Sequence, residues 1–262
     1  MTPSAGTPKR ELGQHFLVDE NILGVIGRLA ELESEDVVLE VGPGLGVLTG
    51  YLTERVSYVH AVEVDYSLVC VLAERFSGCD NLELLHGDAL RMDLAHLQPA
   101  PTKLVANLPY NIATPLVVES LDGLPSVDLW CVMVQREVAD RFFAEPSTKA
   151  YGSVSVLVQL ATERTGFHPV SRTVFRPRPN VDSALVAFRR RPDGQHGARL
   201  KEIVSAAFAH RRKTLANSLE LADVATRDQA ESALESIDRA PTVRAEELAP
   251  PEFVGLAEAL DR

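Results

Sequence analysis

The most specific chemistry in this sequence sits in Asn107-Leu108-Pro109-Tyr110. A side-chain amide, a proline-stiffened turn and an aromatic ring suit the holding of a planar group that carries an exocyclic amine. The Asn107 side chain and the Leu108 backbone carbonyl can accept the two N–H bonds of that amine, Pro109 fixes φ, and Tyr110 can stack on the ring. Upstream lies Glu40-Val41-Gly42-Pro43-Gly44-Leu45-Gly46. Its glycines permit a tight turn and close backbone approach to a ligand. The spacing is G-x-G-x-G, and Pro43 removes an N–H that a pyrophosphate cradle would use, which favours a nucleoside ligand without phosphates. Glu63 follows Gly42 by 21 residues and can accept both ribose hydroxyls. Asp88, in His86-Gly87-Asp88-Ala89, can accept from an adenine amino group.

Taken singly, each carboxylate reads as an exposed loop acid or a helix cap. The elements around them change that reading. Val37–Val41, Tyr58–Val62, Leu82–His86, Lys103–Ala106 and Leu129–Val134 have strand character, and Leu45–Arg55 and Ser67–Phe76 have helical spacing between them. Asn21–Leu32 predicts an amphipathic helix before the first strand. Val154–Leu160 and Ala184–Phe188 are further β-rich runs. Repeated β-α units imply a mainly parallel sheet covered on both faces. Each chemical motif then falls at the carboxyl end of a strand, where open α/β sheets bind ligands. The fold expected is α/β, with a class I (Rossmann-like) sheet that binds S-adenosylmethionine. On the glycine turn, Glu63 and Asp88 alone, a dehydrogenase stays open.

Beyond about Arg191 only helical patterns remain, beginning with Leu200–Leu221. This predicts two domains, 1–191 and a small all-helical 192–262, with Asp193–Gly197 as linker. The 262 residues carry a net charge of −11, which at first excludes a polyanion partner. The charge is uneven, however. Residues 166–213 hold 11 basic and 3 acidic side chains, a net +8. Within this block lie Arg176, Arg178, Arg189, Arg190, Arg191, Arg211, Arg212 and Lys213, a candidate nucleic-acid footprint. The three cysteines show no metal-site spacing and suit a reducing, cytoplasmic setting. Neither a secretory leader in Met1–Gly13 nor a membrane span is expected.

With these motifs in hand, the sequence resembles the ribosomal RNA adenine N6,N6-dimethyltransferase family, on its small-subunit (16S) side. The resemblance covers nearly the whole chain. It runs through Gly13-Gln14-His15-Phe16-Leu17, Glu40–Gly46, Glu63, Asp88, Asn107–Tyr110, Gln135–Val138, Lys149–Gly152, Phe175–Ser183 (FRPRPNVDS) and His210–Thr214. It implies S-adenosylmethionine as cofactor, held by His15, Leu17, Gly42, Gly44, Glu63, Asp88, Ala89 and Asn107. The family often has Asn where His15 stands. It implies Asn107, Leu108 and Tyr110 around the target amine, with Phe175 as a second aromatic on the target base. It places Arg176, Arg178, Arg211, Arg212 and Lys213 on RNA. The expected partner is 16S rRNA in the small subunit or its precursor, met by a monomer.

The chemistry is coherent with that implication. The N6 lone pair of adenine is delocalised, so the amine is a poor nucleophile. Two acceptors on its hydrogens favour a pyramidal nitrogen and aim the lone pair. A proton on that nitrogen becomes acidic once a methyl arrives, so the motif needs no strong base. Two other readings remain: a 23S rRNA enzyme that confers macrolide resistance, and a ribosome-assembly factor that binds without catalysis.

Overall fold

The computed structural model describes residues 14–194 and 197–261. Gly13, the 1–13 stretch and two positions of the expected linker, 195 and 196, lie outside the described residues.

The elements run β1 (Phe16–Leu17), α1 (Asn21–Leu29), β2 (Val37–Val41), α2 (Val47–Thr53), β3 (Tyr58–Glu63), α3 (Tyr66–Arg75), β4 (Leu82–His86), β5 (Lys103–Asn107), α4 (Ala113–Gly123), β6 (Leu129–Gln135), α5 (Arg136–Phe142) and α6 (Ser153–Ala161). They continue with β7 (Thr162–Val170), β8 (Phe175–Arg176), β9 (Ser183–Arg190), α7 (Ala198–Ala209), α8 (Leu215–Leu221), α9 (Arg227–Ser236) and α10 (Pro250–Leu260). The chain divides into two compact units. One is built on residues up to Ala139 and on Arg164–Arg190; the other on Asp140–Glu163 and the chain from Arg191 onward. The second unit thus takes in 140–163, which the sequence reading assigned to the sheet domain.

A seven-stranded sheet in the order β4-β3-β2-β5-β6-β9-β7 organises the first unit. β2 pairs in parallel with β3 and β5, β3 with β4, and β5 with β6; β9 is antiparallel to β6. Every residue of β2 is buried, as is expected of a strand covered on both faces. Successive strands step outward from β2 to β4, and the chain then returns to place β5 on the other side of β2. The carboxyl ends of β2 and β5 therefore diverge at a topological switch point, the usual mouth of a ligand crevice. Away from that end, buried Asp36 and Lys103 form an ion pair at 2.7 Å.

Packing decides where propensity is silent. Val154–Leu160, β-rich by composition, lies in helix α6. Its valines are stiff in a helix, but nearly every face of α6 is buried, and burial outweighs a weak intrinsic preference. Ser155 Oγ fixes the helix start, accepting the Gly152 N–H at 3.1 Å. Strand β7 has no sequence signal: it lies at one end of the strand order, and its residues are largely exposed. In the second unit α7 and α8 are separate helices, broken at His210–Lys213, with Thr214 capping α8 by accepting the Asn217 N–H. Phe208 stacks on Phe253 with centroids 5.8 Å apart, and the buried Tyr151 hydroxyl donates to the Leu248 carbonyl at 2.8 Å. Among the described residues no helix is long and apolar enough to cross a membrane, and none of the His, Cys, Asp and Glu side chains cluster as a metal site.

Candidate active site

β2 ends in a turn where Gly42 and Gly44 take φ of +74° and +59°, values that side chains rarely allow. Space forbids a side chain there as well. A Cβ on Gly42 would lie 3.0 Å from Pro109 Cδ, and one on Gly44 would lie 2.9 Å from Phe16 Cδ1. The glycine turn is thus pressed between the Asn107–Tyr110 turn and the N-terminal strand β1.

Glu63, the last residue of β3, locks this turn. Its Oε2 accepts the Gly44 N–H at 3.2 Å and its Oε1 accepts the Asp65 N–H at 2.9 Å. Each oxygen keeps a further lone pair for a hydroxyl donor. Burial pushes the Glu63 carboxyl above the usual range, while backbone N–H donors, Asp65 and Gly44 first among them, pull the other way. Asp88 closes its own turn: Oδ1 accepts the Leu90 N–H at 3.0 Å, and Oδ2 lies 3.4 Å from Arg91 Nε.

Asn107 ends β5 and donates from Nδ2 to the His15 carbonyl at 3.2 Å. That contact fixes the amide and leaves its Oδ1 as the acceptor. The Leu108 N–H donates to the Met133 carbonyl at 3.0 Å, which fixes the Asn107–Leu108 peptide at the start of the turn. Tyr110 has its hydroxyl 2.7 Å from Ser183 Oγ, and burial raises that phenol above its ordinary range. Its ring stands 5.4 Å from the His15 ring. His15 in turn donates from Nδ1 to the Pro177 carbonyl at 2.7 Å, and Phe16 and Leu17 pair with Arg176 and Phe175 as a short antiparallel ladder. The FRPRPNVDS segment is therefore tied to both sides of the Asn107–Tyr110 turn.

These residues enclose a cavity of about 210 Å³. His15, Leu17, Gly42, Gly44, Glu63, Asp88, Ala89, Asn107, Leu108 and Tyr110 all line it. No Lys or Arg of the described residues does, whereas Glu40, Glu63 and Asp88 do. An acidic pocket of this kind suits a nucleoside that carries positive charge, and it opposes a dinucleotide pyrophosphate. The glycine cradle and the hydroxyl acceptors on Glu63 fit the nucleoside half of S-adenosylmethionine.

Phe175 departs from expectation. It is 2% exposed, packs in the core with Leu17, Ile22 and Val174, and does not line the cavity. Its pairing with Leu17 turns it inward from a strand whose neighbour, Arg176, is exposed. The basic block also divides. Arg189 bridges Glu31 and Asp128 at 2.8 and 3.0 Å. Arg190 donates to the carbonyls of Leu121, Leu124 and Val127 and so caps the end of α4, and Arg191 donates to the Thr162 carbonyl. These three arginines hold the fold together. Arg176 and Arg178 are exposed beside the cavity's own segment. In the second unit Arg211 pairs with Glu246 at 3.1 Å, while Arg212 and Lys213 are exposed in the turn between α7 and α8. Glu40 is the cavity residue that motif reading left without a role; its place in an apolar strand facing the pocket was the available signal.

The chain is similar in sequence and in fold to known proteins. The family model described as ribosomal RNA adenine dimethylase matches residues 6–257. A ribosomal RNA small subunit methyltransferase A from Rubrobacter xylanophilus is 46% identical over 250 residues, covering 95% of this chain and 94% of that protein. A dimethyladenosine transferase from Plasmodium falciparum superposes with a TM-score of 0.77 at 25% identity, covering 92% of this chain and 96% of that one. The 23S rRNA methyltransferase ErmE does so with a TM-score of 0.66 at 29% identity, covering 94% and 100%. With the family match spanning both units and all four strand-end motifs, the chain belongs to the ribosomal RNA adenine dimethylase family.

Proposed function

We propose that this protein methylates N6 of two adjacent adenines in a hairpin near the 3′ end of 16S rRNA, giving dimethyladenosines during small-subunit maturation. The observation that carries the reading is a cavity lined jointly by a glycine cradle, a hydroxyl-accepting Glu63 and the Asn107–Tyr110 turn, without a basic side chain among the described residues. S-adenosylmethionine, when bound, supplies an electrophilic methyl on a sulfonium. The chain supplies orientation. Asn107 Oδ1 and the Leu108 carbonyl accept the hydrogens of the target amine and direct its lone pair. Tyr110 offers a ring face to a flipped base, worth about 1–3 kcal/mol by stacking. Its hydroxyl bonds to Ser183, at the far end of the ring from the backbone. Glu63 takes the ribose hydroxyls and Asp88 the adenine amino group of the cofactor, with His15, Leu17, Gly42, Gly44 and Ala89 closing around it.

Exposed Arg176 and Arg178 serve phosphates at the mouth of the site; on the helical unit, taken by itself, Arg212 and Lys213, with Arg211 less available, are further phosphate contacts. The protein acts as a monomer in the cytoplasm, on 16S rRNA in the small subunit or its precursor. The likeness to ErmE favours a second reading, methylation of 23S rRNA. The small-subunit name carried by the relative at 46% identity weighs against it.

Primer extension across the 16S rRNA 3′ hairpin in a strain lacking the gene tests the proposal. Unmethylated adenines are expected, with both modifications restored by the intact gene. A fully dimethylated hairpin in the deletion strain would refute it.

A further inference from the structure

Glu40 is 1% exposed and sits in an otherwise apolar strand, yet it lines the cavity. Its Oε2 accepts the Thr49 hydroxyl at 2.7 Å. No buried side-chain oxygen of the described residues lacks a partner, so the other oxygen, which takes no protein hydrogen bond, opens on the cavity. The groups around it come from every neighbouring element. Glu63 lies two places along β3 from Ala61, the residue paired with Glu40, and its charge disfavours a second anion. Thr49 faces it from α2. His15, Asp88 and Tyr110 line the same cavity, and no Lys or Arg of the described residues balances the acids there. Burial lifts the Glu40 carboxyl to about 8, so near neutral pH it holds its proton when no cation is present.

A cation entering the cavity changes that balance, because it favours the ionised carboxyl in a low-dielectric setting. We propose that Glu40 lets the site distinguish its cationic ligand from the neutral product, standing ionised opposite a sulfonium and protonated opposite a thioether. The inference rests on the cofactor reading above. The exchange balances simply: the Glu40 O–H breaks and its proton goes to solvent when the sulfonium binds, and a solvent proton returns to the carboxylate in the product complex. Loss of the positive charge on methyl transfer then removes the partner that favoured the carboxylate, which loosens the product.

Calorimetry of the full chain at pH 7, in buffers of different protonation enthalpy, counts the protons. S-adenosylmethionine and S-adenosylhomocysteine share the nucleoside and amino-acid groups, so the difference between them isolates the sulfonium. The sulfonium ligand should release most of one proton more than the thioether. In Glu40→Gln that difference should vanish, and the preference for the sulfonium should fall by about tenfold or more, with thioether binding retained. Thr49→Val removes a hydrogen bond that favours the carboxylate, and should move the proton difference to higher pH. Equal proton counts for both ligands in the unaltered protein would overturn the proposal, as would an undiminished difference in Glu40→Gln. Should Glu40→Gln bind neither ligand, Thr49→Val decides, and an unmoved pH dependence there also overturns it. Failure of the unaltered protein to bind either ligand would instead strike the cofactor reading itself.

Discussion

The Asn107 side chain donates to the His15 carbonyl at 3.2 Å, so the residue just before β1 sets which end of the amide faces the cavity. A carbonyl oxygen only accepts, so Nδ2 must point at His15 and Oδ1 is left for the target amine. Asn107→Ala removes the acceptor and the tie to His15 together. Turnover should fall by at least about 100-fold, in line with loss of one preorganised transition-state contact, while RNA affinity changes little. Single-turnover methylation alongside filter binding checks both halves.

Tyr110 contributes a ring and a hydroxyl, and they can be separated. Tyr110→Phe loses only the contact with Ser183 and should cost about 0.5–1.5 kcal/mol of stability with activity largely kept. Tyr110→Ala loses the stacking face and should abolish turnover. Urea unfolding and initial rates on the two variants provide the comparison; equal activities would remove the ring from the mechanism.

The arginines of the basic block should separate into two phenotypes. Replacing Arg176, Arg178, Arg212 and Lys213 by Ala should weaken RNA binding and flatten its dependence on salt, with folding intact. Arg190→Ala should leave the salt slope alone and destabilise the sheet unit by about 2 kcal/mol, since it strips the carbonyls at the end of α4 of a charged donor. Salt titrations of binding and urea unfolding of each variant report the two effects independently.

Glu40 also makes stability depend on pH. Its folded-state carboxyl titrates at about 8, against about 4.3 when unfolded, so between those values the native state holds a proton that the unfolded state has released. That stabilisation is complete below the unfolded value and is lost as pH rises through the folded one. The slope is at most about 1.4 kcal/mol per pH unit. In the absence of ligand, the intact protein should therefore lose stability relative to Glu40→Gln from pH 5 to 8. Denaturant unfolding across that range, with the two curves remaining parallel, would contradict it.

The strand-end motifs were legible because a parallel sheet buried on both faces writes its strands as apolar runs and leaves its chemistry at their ends. Val37–Val41 followed by Gly42, and Lys103–Asn107 followed by Leu108, are that pattern. Other features depended on partners distant in sequence. Val154–Leu160 is a helix because its surroundings bury it, which its valines do not announce. Phe175 faces the core because Leu17, more than 150 residues away, sets its register. Arg189, Arg190 and Arg191 look like a phosphate-binding triplet until Glu31, Asp128 and the carbonyls at the end of α4 are in place. Glu40 carries no signal of its own inside a motif whose glycines already account for the turn.

Methylation in vitro of purified ribosomal subunits, from a strain that lacks the modification, separates the two rRNA substrates. The purified chain and labelled S-adenosylmethionine should deliver four methyl groups to each small subunit, recovered as two N6,N6-dimethyladenosines in the 3′ hairpin, and none to large subunits. Label appearing in 23S rRNA, or in neither rRNA, would refute dimethylation of 16S rRNA by this chain.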